Sequence, residues 1–241
     1  MREENNMGLC LTGTADEVAD IVFLTNDSLN VEWIAANLLT NVKFYNDIRN
    51  MRGCTGEYKG KRVSVQGEGI GPVNAAMYAV EIMNEFDVKK VVKIDTCTAL
   101  KHNILLGDMI LPQSAHTTSS INKRRFNGIT FPAVADFQSL DRVYDQAVEK
   151  NIPVHVGPVV SIEHRGEMEL ARKFALRGAI AIDLEMNQTF TAAQRFGIPG
   201  VGILIATENL ITEETMQRSD KQKAFAKVAE FALESILMEE A

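Results

Sequence analysis

The sequence predicts an α/β fold, because strand-type and helix-type segments alternate along the whole chain. Short apolar runs rich in Val, Ile and Leu recur, and polar or glycine-rich turn residues follow most of them. Segments with helical periodicity lie between the runs. The last of these, from Lys221 to Leu237, has the apolar spacing of an amphipathic helix that packs on the body of the protein.

The first half of the chain contains four predicted strands separated by turn signals. Residues 1–18 are polar, and we expect them to be loosely held. Asp27 or Ser28 is positioned to cap a helix that follows the first strand. Tyr58–Lys61 predicts a hairpin turn, and Gly67–Pro72 precedes another helix. The predicted strands are Asp20–Leu24, Arg62–Val65, Val88–Ile94 and Asp108–Pro112.

The second half continues the alternation after a polar stretch, residues 113–140, that we expect to be irregular. In this stretch the cluster Asn122–Phe126 is interpreted as solvated surface. The predicted elements that follow are the helix Leu140–Lys150, the strand Val154–Val160, the helix Met168–Leu176, the strand Ile180–Ile182 and the strand Gly200–Ile205, which ends at Thr207–Asn209.

Two carboxylates, Asp183 and Glu185, follow the strand Ile180–Ile182 and precede a helix-compatible segment. Ligands of open α/β folds lie outside the carboxyl ends of strands, so acids in this position are well placed to meet a substrate. A spacing of two would put both side chains on one side if the strand continued through them. Alternatively, one carboxylate caps the following helix and the other is solvated.

Composition limits the classes of partner. The 241 residues suffice for one large domain, and the net charge of −7 without a long basic run argues against nucleic-acid binding. No apolar segment approaches the roughly 20 residues of a membrane helix, and the N-terminus lacks the hydrophobic region of a signal peptide. We therefore expect a cytoplasmic protein with no membrane partner.

Cysteines and histidines indicate neither a disulfide framework nor a metal site. The three cysteines, at positions 10, 54 and 97, are far apart, and the four histidines lack metal-ligand spacing. The segment Gly67–Gly71 matches the dinucleotide-binding pattern G-x-G-x-x-G incompletely, and no ribose-binding acid follows at the required distance. We expect no structural metal and no dinucleotide cofactor.

Several motifs together resemble the nucleoside phosphorylase-I superfamily, and within it the hexameric, bacterial-type purine nucleoside phosphorylases. The resemblance covers about residues 19–239. It rests on Ile48–Met51, Thr55–Gly60, Gly67–Gly71, Lys93–Cys97, Asn122–Phe126, Ala135–Phe137 and Asp183–Met186.

The resemblance implies a three-layer α/β/α sandwich around a mixed, partly barrel-like sheet, with residues 1–241 as a single domain. It also implies a chemistry, in which phosphate attacks C1′ of a nucleoside and the N-glycosidic bond breaks. Such a reaction passes through an oxocarbenium-like sugar, so the enzyme must hold the ribose hydroxyls, assist the departing base and position an anion. Phosphate is then a co-substrate, and no cofactor is required.

By resemblance, Glu208 is the acid that serves N7 of a purine, where the family has an aspartate, and Lys221 takes the place of an arginine that assists it. Glu185 holds ribose hydroxyls, Leu184 lies under the sugar in place of a methionine, and Asp183 is a neighbouring acid. Thr96 and Cys97 complete the ribose and base site. The loop Ser161–Gly166 replaces a longer aromatic wall of the base pocket, and its His164 is interpreted as a surface residue.

The implied phosphate site departs from the family pattern. It comprises Asn26, Asn30, Arg49, Lys93 and Thr96. Asn30 and Lys93 replace arginines, so one charge is lost and one guanidinium fork becomes an ammonium. Asp95 replaces a glycine and brings negative charge near the anion. Arg49 is unchanged and is supplied by a neighbouring subunit, which implies a dimer-based homohexamer with shared active sites.

These departures leave three hypotheses for the function. The first is a phosphorylase with an altered phosphate site. The second is a hydrolytic nucleosidase of the same superfamily, in which water replaces phosphate. The third is a non-catalytic relative that binds a nucleoside or serves a structural role.

Overall fold

The computed structural model describes residues 8–238. Its strands are β1 (Ile21–Thr25), β2 (Thr40–Asn46), β3 (Gly53–Tyr58), β4 (Lys61–Gly67), β5 (Lys90–Ala99), β6 (Met109–Thr117), β7 (Ala133–Val134), β8 (Val154–Ser161), β9 (Ala181–Asp183) and β10 (Gly200–Asn209). Its helices are α1 (Ser28–Asn37), α2 (Pro72–Glu85), α3 (Ile121–Arg125), α4 (Phe137–Glu149), α5 (Met168–Ala175), α6 (Met186–Phe196) and α7 (Arg218–Leu237).

All of these strands belong to one mixed sheet, and part of it closes on itself. The order is β10-β6-β8-β9-β5-β1-β4-β3-β2, with β7 beside β6. Because β10 also pairs with β5, the strands β5, β10, β6, β8 and β9 form a closed barrel. β1, β5 and β10 run parallel, so their carboxyl ends lie at one edge. This confirms the predicted mixed, partly barrel-like sheet.

Helices cover both faces of the sheet, which confirms the three-layer sandwich. On β1, Phe23 belongs to an apolar cluster that also contains residues of α1, α4 and α7, whereas Val22 and Leu24 belong to a second cluster with residues of α2 and α6. Alternate strand residues point to opposite faces, so a strand that is apolar at every position is buried on both. Helix α7 packs on the body as predicted, and it is amphipathic up to Glu230, whereas from Phe231 to Leu237 every residue except Glu234 is buried. No helix of the described range combines the length and apolar character needed to cross a membrane.

Local sequence signals correctly predicted one helix cap and one hairpin turn. Asp27 caps α1, because its Oδ1 accepts the backbone N–H of Leu29 at 2.9 Å. The β3–β4 hairpin turns at Lys59 and Gly60, which both have positive φ (47° and 80°) as a tight hairpin requires.

Two segments are ordered although the sequence predicted that one is loosely held and the other irregular. In the first, residues 8–18 were expected to be loosely held, but Cys10 and Leu11 are buried and their backbone N–H groups donate to the Glu81 carboxylate. In the second, residues 113–140, β6 continues to Thr117 and α3, β7 and the start of α4 follow. These two predictions are wrong because hydrogen bonds to other parts of the fold hold both segments in place, from Cys10 and Leu11 to Glu81 and from Asn122 to Asn187. The remainder of the first segment, residues 1–7, lies outside the described residues.

Candidate active site

A small cavity of about 130 Å³ lies where the carboxyl ends of β1, β5 and β10 meet the loops after β8 and β9. Its lining residues are Asn26, Thr96, Cys97, Thr98, Ile162, Arg165, Met168, Ile182, Asp183, Leu184, Glu185, Thr207, Glu208 and Lys221. The cavity therefore collects residues from segments that are distant in sequence, at the edge where α/β folds bind ligands.

Strands β5 and β10 extend further into this site than the sequence predicts. β5 continues through Asp95–Thr98 to Ala99, and β10 continues through Glu208 to Asn209. The pairing of β10 with β5 shifts register between Ala206 and Glu208. Such an irregularity redirects a side chain, and here it accompanies the acid that lines the cavity.

Glu208 contacts two cations. Its Oε1 accepts from Lys221 Nζ at 2.5 Å and from Arg165 Nη2 at 2.9 Å, and its Oε2 lies 3.5 Å from Thr98 Oγ1. Partial burial opposes ionisation, but the hydrogen bonds from Lys221 and Arg165 outweigh it and hold the pKa of Glu208 below its ordinary value. Glu208 is therefore a carboxylate at neutral pH, with two donors beside it.

Asp183 anchors the start of α6. Its Oδ2 accepts the backbone N–H groups of Glu185 and Met186 at 2.7 and 2.5 Å, and its Oδ1 accepts from Ser161 Oγ at 2.7 Å. Burial raises the pKa of Asp183, although these hydrogen bonds oppose the rise. The helix-capping interpretation thus describes Asp183, and these contacts orient the segment that carries Glu185.

Glu185 is buried rather than solvated, so the second half of that interpretation is wrong. β9 ends at Asp183, and the alternation of a continuing strand does not reach Glu185. Its Oε1 accepts the backbone N–H of Gly71 at 2.7 Å, and its Oε2 lies 3.7 Å from Lys93 Nζ. Burial raises the pKa of Glu185 to about 8. The glycine-rich segment thus supplies a backbone donor to a cavity carboxylate.

Lys93 lies behind the cavity wall among three carboxylates. Its Nζ is 2.6 Å from Glu68 Oε1, 3.1 Å from Asp95 Oδ2 and 3.7 Å from Glu185 Oε2. Burial disfavours its charged form, but the surrounding Glu68, Asp95 and Glu185 outweigh burial and raise the pKa of Lys93. Burial likewise raises the pKa of Glu68, and Lys93 opposes that rise. The ammonium group is therefore charged and fully paired.

The remaining predicted site residues fall into two groups. Asn26, Thr96, Cys97 and Leu184 line the cavity, and burial raises the pKa of the Cys97 thiol well above its ordinary value. Asn30 and Arg49 do not line it. The Asn30 amide donates to Thr25 Oγ1 at 2.9 Å, and Arg49 Nη1 donates to the Leu9 carbonyl at 2.6 Å.

Sequence reasoning missed several lining residues, of which Arg165 is the most informative. His164 is exposed, as the sequence predicted, and its Nδ1 accepts the Gly166 N–H, while its neighbour Arg165, which was not singled out, reaches Glu208. The other missed residues are Thr98, Ile162, Met168, Ile182 and Thr207. Within residues 8–238, no group of three or more His, Cys, Asp or Glu side chains is arranged to hold a metal ion.

A larger open groove, of about 1000 Å³, lies between α4 and the strands β6 and β8. Phe137, Tyr144 and His155 are among its lining residues, and His155 Nε2 is 2.8 Å from Asp108 Oδ2. None of the predicted catalytic residues lines it. The smaller cavity is the better candidate because it combines perturbed carboxylates with donors at strand ends.

The fold and the cavity define a class: an α/β protein with a small polar site at one end of a closed barrel, where acids and cations are paired. Sequence comparison gives the family. A family model described as the phosphorylase superfamily matches residues 20–238, so the chain belongs to the phosphorylase superfamily.

Three similar curated proteins share one name. A DeoD-type purine nucleoside phosphorylase of Caldanaerobacter subterraneus subsp. tengcongensis is 36% identical over 230 residues, which cover 95% of this chain and 99% of the relative. Proteins of the same name from Alkaliphilus metalliredigens and Clostridium perfringens are 35% and 34% identical over 230 and 233 residues. The similarity therefore extends over nearly the full length of both partners.

Proposed function

We propose that the chain is a nucleoside phosphorylase that cleaves the N-glycosidic bond of purine nucleosides with inorganic phosphate. The observation that carries this proposal is the cavity in which Glu208, with Lys221 hydrogen-bonded to it, faces the same space as Glu185 and Thr96. It is supported by the name of the relatives that align over nearly the whole chain.

The proposed mechanism divides the cavity into a base end and a sugar end. Phosphate oxygen forms the new bond to C1′, and the electron pair of the breaking bond passes to the base nitrogen. The departing base takes up one proton at N7. Because Glu208 is ionised, it relays to N7 a proton from the Lys221 ammonium group to which it is hydrogen-bonded, and Lys221 then regains a proton from solvent. Arg165 stabilises the Glu208 carboxylate throughout this exchange. Neither a metal nor an organic cofactor takes part, and the products are a free purine and a pentose 1-phosphate.

At the sugar end, Glu185 holds ribose hydroxyls, and Leu184 and Thr96 line the space beside it. Asp183 is a positioning residue, because both of its oxygens are occupied by Ser161 and by the backbone of α6. Asn26, Thr96 and Lys93 remain our candidates for the phosphate side. We do not retain Asn30, because its amide is directed to Thr25.

We further propose that residues 1–241 form one domain and that the protein is a cytoplasmic homohexamer built from dimers, in which Arg49 completes the site of a neighbouring subunit. Three buried free thiols suit a reducing compartment. Arg49 has a left-handed backbone (φ 55°) in an exposed turn, a conformation that is uncommon for residues other than glycine and that clusters at active sites and ligand clamps.

The first test is base release from inosine, adenosine, guanosine and uridine, each with and without phosphate, followed by chromatography. We expect release of purines only with phosphate, together with pentose 1-phosphate. Glu208→Gln should lower kcat by roughly 10²- to 10⁴-fold, the usual contribution of a general acid or base, while Glu163→Gln, at an exposed site, should not. Equal release without phosphate would identify a hydrolase instead, and no release with intact nucleoside binding would identify a non-catalytic relative.

A further inference from the structure

The carboxylate of Asp95 is bonded to the groups that would otherwise receive an anion. Its Oδ2 accepts the backbone N–H of Asn26 at 3.0 Å and lies 3.1 Å from Lys93 Nζ, and its Oδ1 accepts the N–H of Thr96 at 2.9 Å. The side chain is 3% exposed, so water does not screen these contacts. The carboxyl group of Asp95 therefore occupies the position that an external anion would take.

These partners are suited to binding an oxyanion. Asn26 lies in the turn before α1, where backbone N–H groups and the helix dipole favour negative charge. Lys93 supplies a full positive charge. Asn26 and Thr96 also line the cavity, so an anion bound to them would lie beside the sugar end of the site.

We propose that Asp95 is the residue that sets the affinity for phosphate, by acting as an internal ligand that phosphate must displace. This inference rests on the proposed function, in that the displacing anion is the co-substrate of the reaction. A phosphate that enters this position is repelled by the negative charge of Asp95. The Lys93 ammonium group that would attract it is already paired with carboxyl groups of the protein. Phosphate therefore binds weakly, and the nucleoside end of the cavity is unaffected.

The surroundings of Asp95 allow its removal without leaving a buried charge unpaired. Lys93 keeps Glu68 at 2.6 Å and Glu185 at 3.7 Å. The two backbone N–H groups of Asn26 and Thr96 would lose their acceptor, and phosphate can replace it. Removing Asp95 should therefore open the anion position rather than collapse it.

The experiment compares steady-state kinetics of the wild-type protein with Asp95→Gly, Asp95→Asn and Asp95→Glu at a saturating nucleoside concentration. We expect the KM for phosphate to fall by roughly ten- to a hundredfold in the Gly and Asn variants, the usual effect of one charge-assisted contact. The KM for nucleoside should stay within about twofold, and Asp95→Glu should keep the weak phosphate binding because it keeps the charge. An unchanged KM for phosphate in both neutral variants would overturn the inference.

Asp108→Asn is the matched control. Asp108 is also buried, it accepts a backbone N–H from Leu105 and it contacts His155, but it does not line the cavity. We expect its KM for phosphate to equal that of the wild-type protein. A fall as large as that of Asp95→Asn would show that loss of any buried carboxylate suffices, and the inference would be wrong.

Titration calorimetry with inorganic phosphate alone separates this inference from the proposed function, because it needs no turnover. We expect a Kd for Asp95→Asn and Asp95→Gly at least about tenfold below that of the wild-type protein. If phosphate binding tightens while none of the proteins releases base, the inference stands and the proposed reaction fails. If turnover depends on phosphate but binding does not tighten in either variant, the reaction stands and the inference fails.

Discussion

Glu68 and Glu185 lie beside the ammonium group of Lys93, and burial raises the pKa of both carboxyl groups. A buried carboxylate with a raised pKa binds a proton that the unfolded chain would release. For Glu185 the ordinary pKa is 4.5 and burial raises it to about 8. Between these values the folded protein holds more protons than the unfolded one, so stability falls as pH rises and levels off above about pH 8.

Glu185→Gln should remove part of this pH dependence. We expect the wild-type free energy of unfolding to fall by up to about 1.4 kcal/mol per pH unit more steeply than that of the variant between pH 5 and 8. Chemical denaturation across this range measures the difference. Asp183 and Glu68 also have raised pKa values and remain in the variant, so some slope should persist. If the free energy of unfolding depended on pH equally in the two proteins, the raised pKa of Glu185 would be contradicted. Glu163→Gln, at an exposed position, serves as the control.

At the scale of single residues, the resemblance predicted that Asp183, Glu185 and Glu208 lie at the site. The groups to which these acids are hydrogen-bonded could not be predicted from the sequence. Asp183 and Glu185 are two residues apart, yet Asp183 accepts backbone N–H groups of its own segment, whereas Glu185 reaches Gly71 and Lys93. Arg165 reaches Glu208, which lies 43 positions further along the chain. Hydrogen bonds of this kind depend on tertiary geometry, which no local pattern encodes.

At the scale of elements, the strands that the sequence predicted are present, but their polar ends were mistaken for turns. β5 and β10 end in Thr, Cys, Asp, Glu and Asn residues that are largely buried around the cavity. β2 was missed because most of its residues are exposed and show no clean alternation. Apolar periodicity marks strands that pack in the core, and it fails where a strand lies at an edge or faces a site.

The junction of β8, β9 and α6 depends on one hydroxyl. Ser161 Oγ donates to Asp183 Oδ1 at 2.7 Å and accepts the backbone N–H of Asn187 at 2.9 Å, and its side chain is fully buried. Ser161→Ala would remove the hydrogen bonds that Ser161 Oγ makes to the Asp183 carboxyl group and to the backbone N–H of Asn187. We expect the free energy of unfolding to fall by about 1–3 kcal/mol, as for other buried groups left unsatisfied, and urea denaturation measures it.

Ser219→Ala provides the comparison for that measurement, because Ser219 is exposed in the first turn of α7. Its stability should change by no more than about 0.5 kcal/mol. Equal effects of the two substitutions would show that the hydroxyl of Ser161 does not hold the junction.

At the scale of the whole molecule, the proposed shared site predicts complementation between subunits. In the described chain Arg49 contacts the Leu9 carbonyl and does not line the cavity that holds Glu208. If a neighbour supplies Arg49, mixed dimers of Arg49→Ala and Glu208→Gln contain one site with both residues intact. After the two inactive variants are unfolded and refolded together, we expect up to about one quarter of wild-type activity from random pairing of the protomers.

Refolding each variant separately is the control, and it should restore none of the activity. A mixture that stays as inactive as its components would contradict the shared site, as would light scattering that finds a monomer at micromolar concentration.

Closure of the barrel also has a consequence for how the chain is made. β1 and β9 lie along one edge of β5, and its other edge is paired only when β10 arrives, since Val91 pairs with Gly200 and Ala99 with Asn209. A growing chain that has left the ribosome as far as β9 therefore carries an incomplete ring, with open hydrogen-bonding edges on β5 and β6. Contacts between such distant segments form slowly, and unpaired edges invite association with other chains. We therefore expect chaperones to be most important after β9 has been synthesised and before β10 closes the barrel.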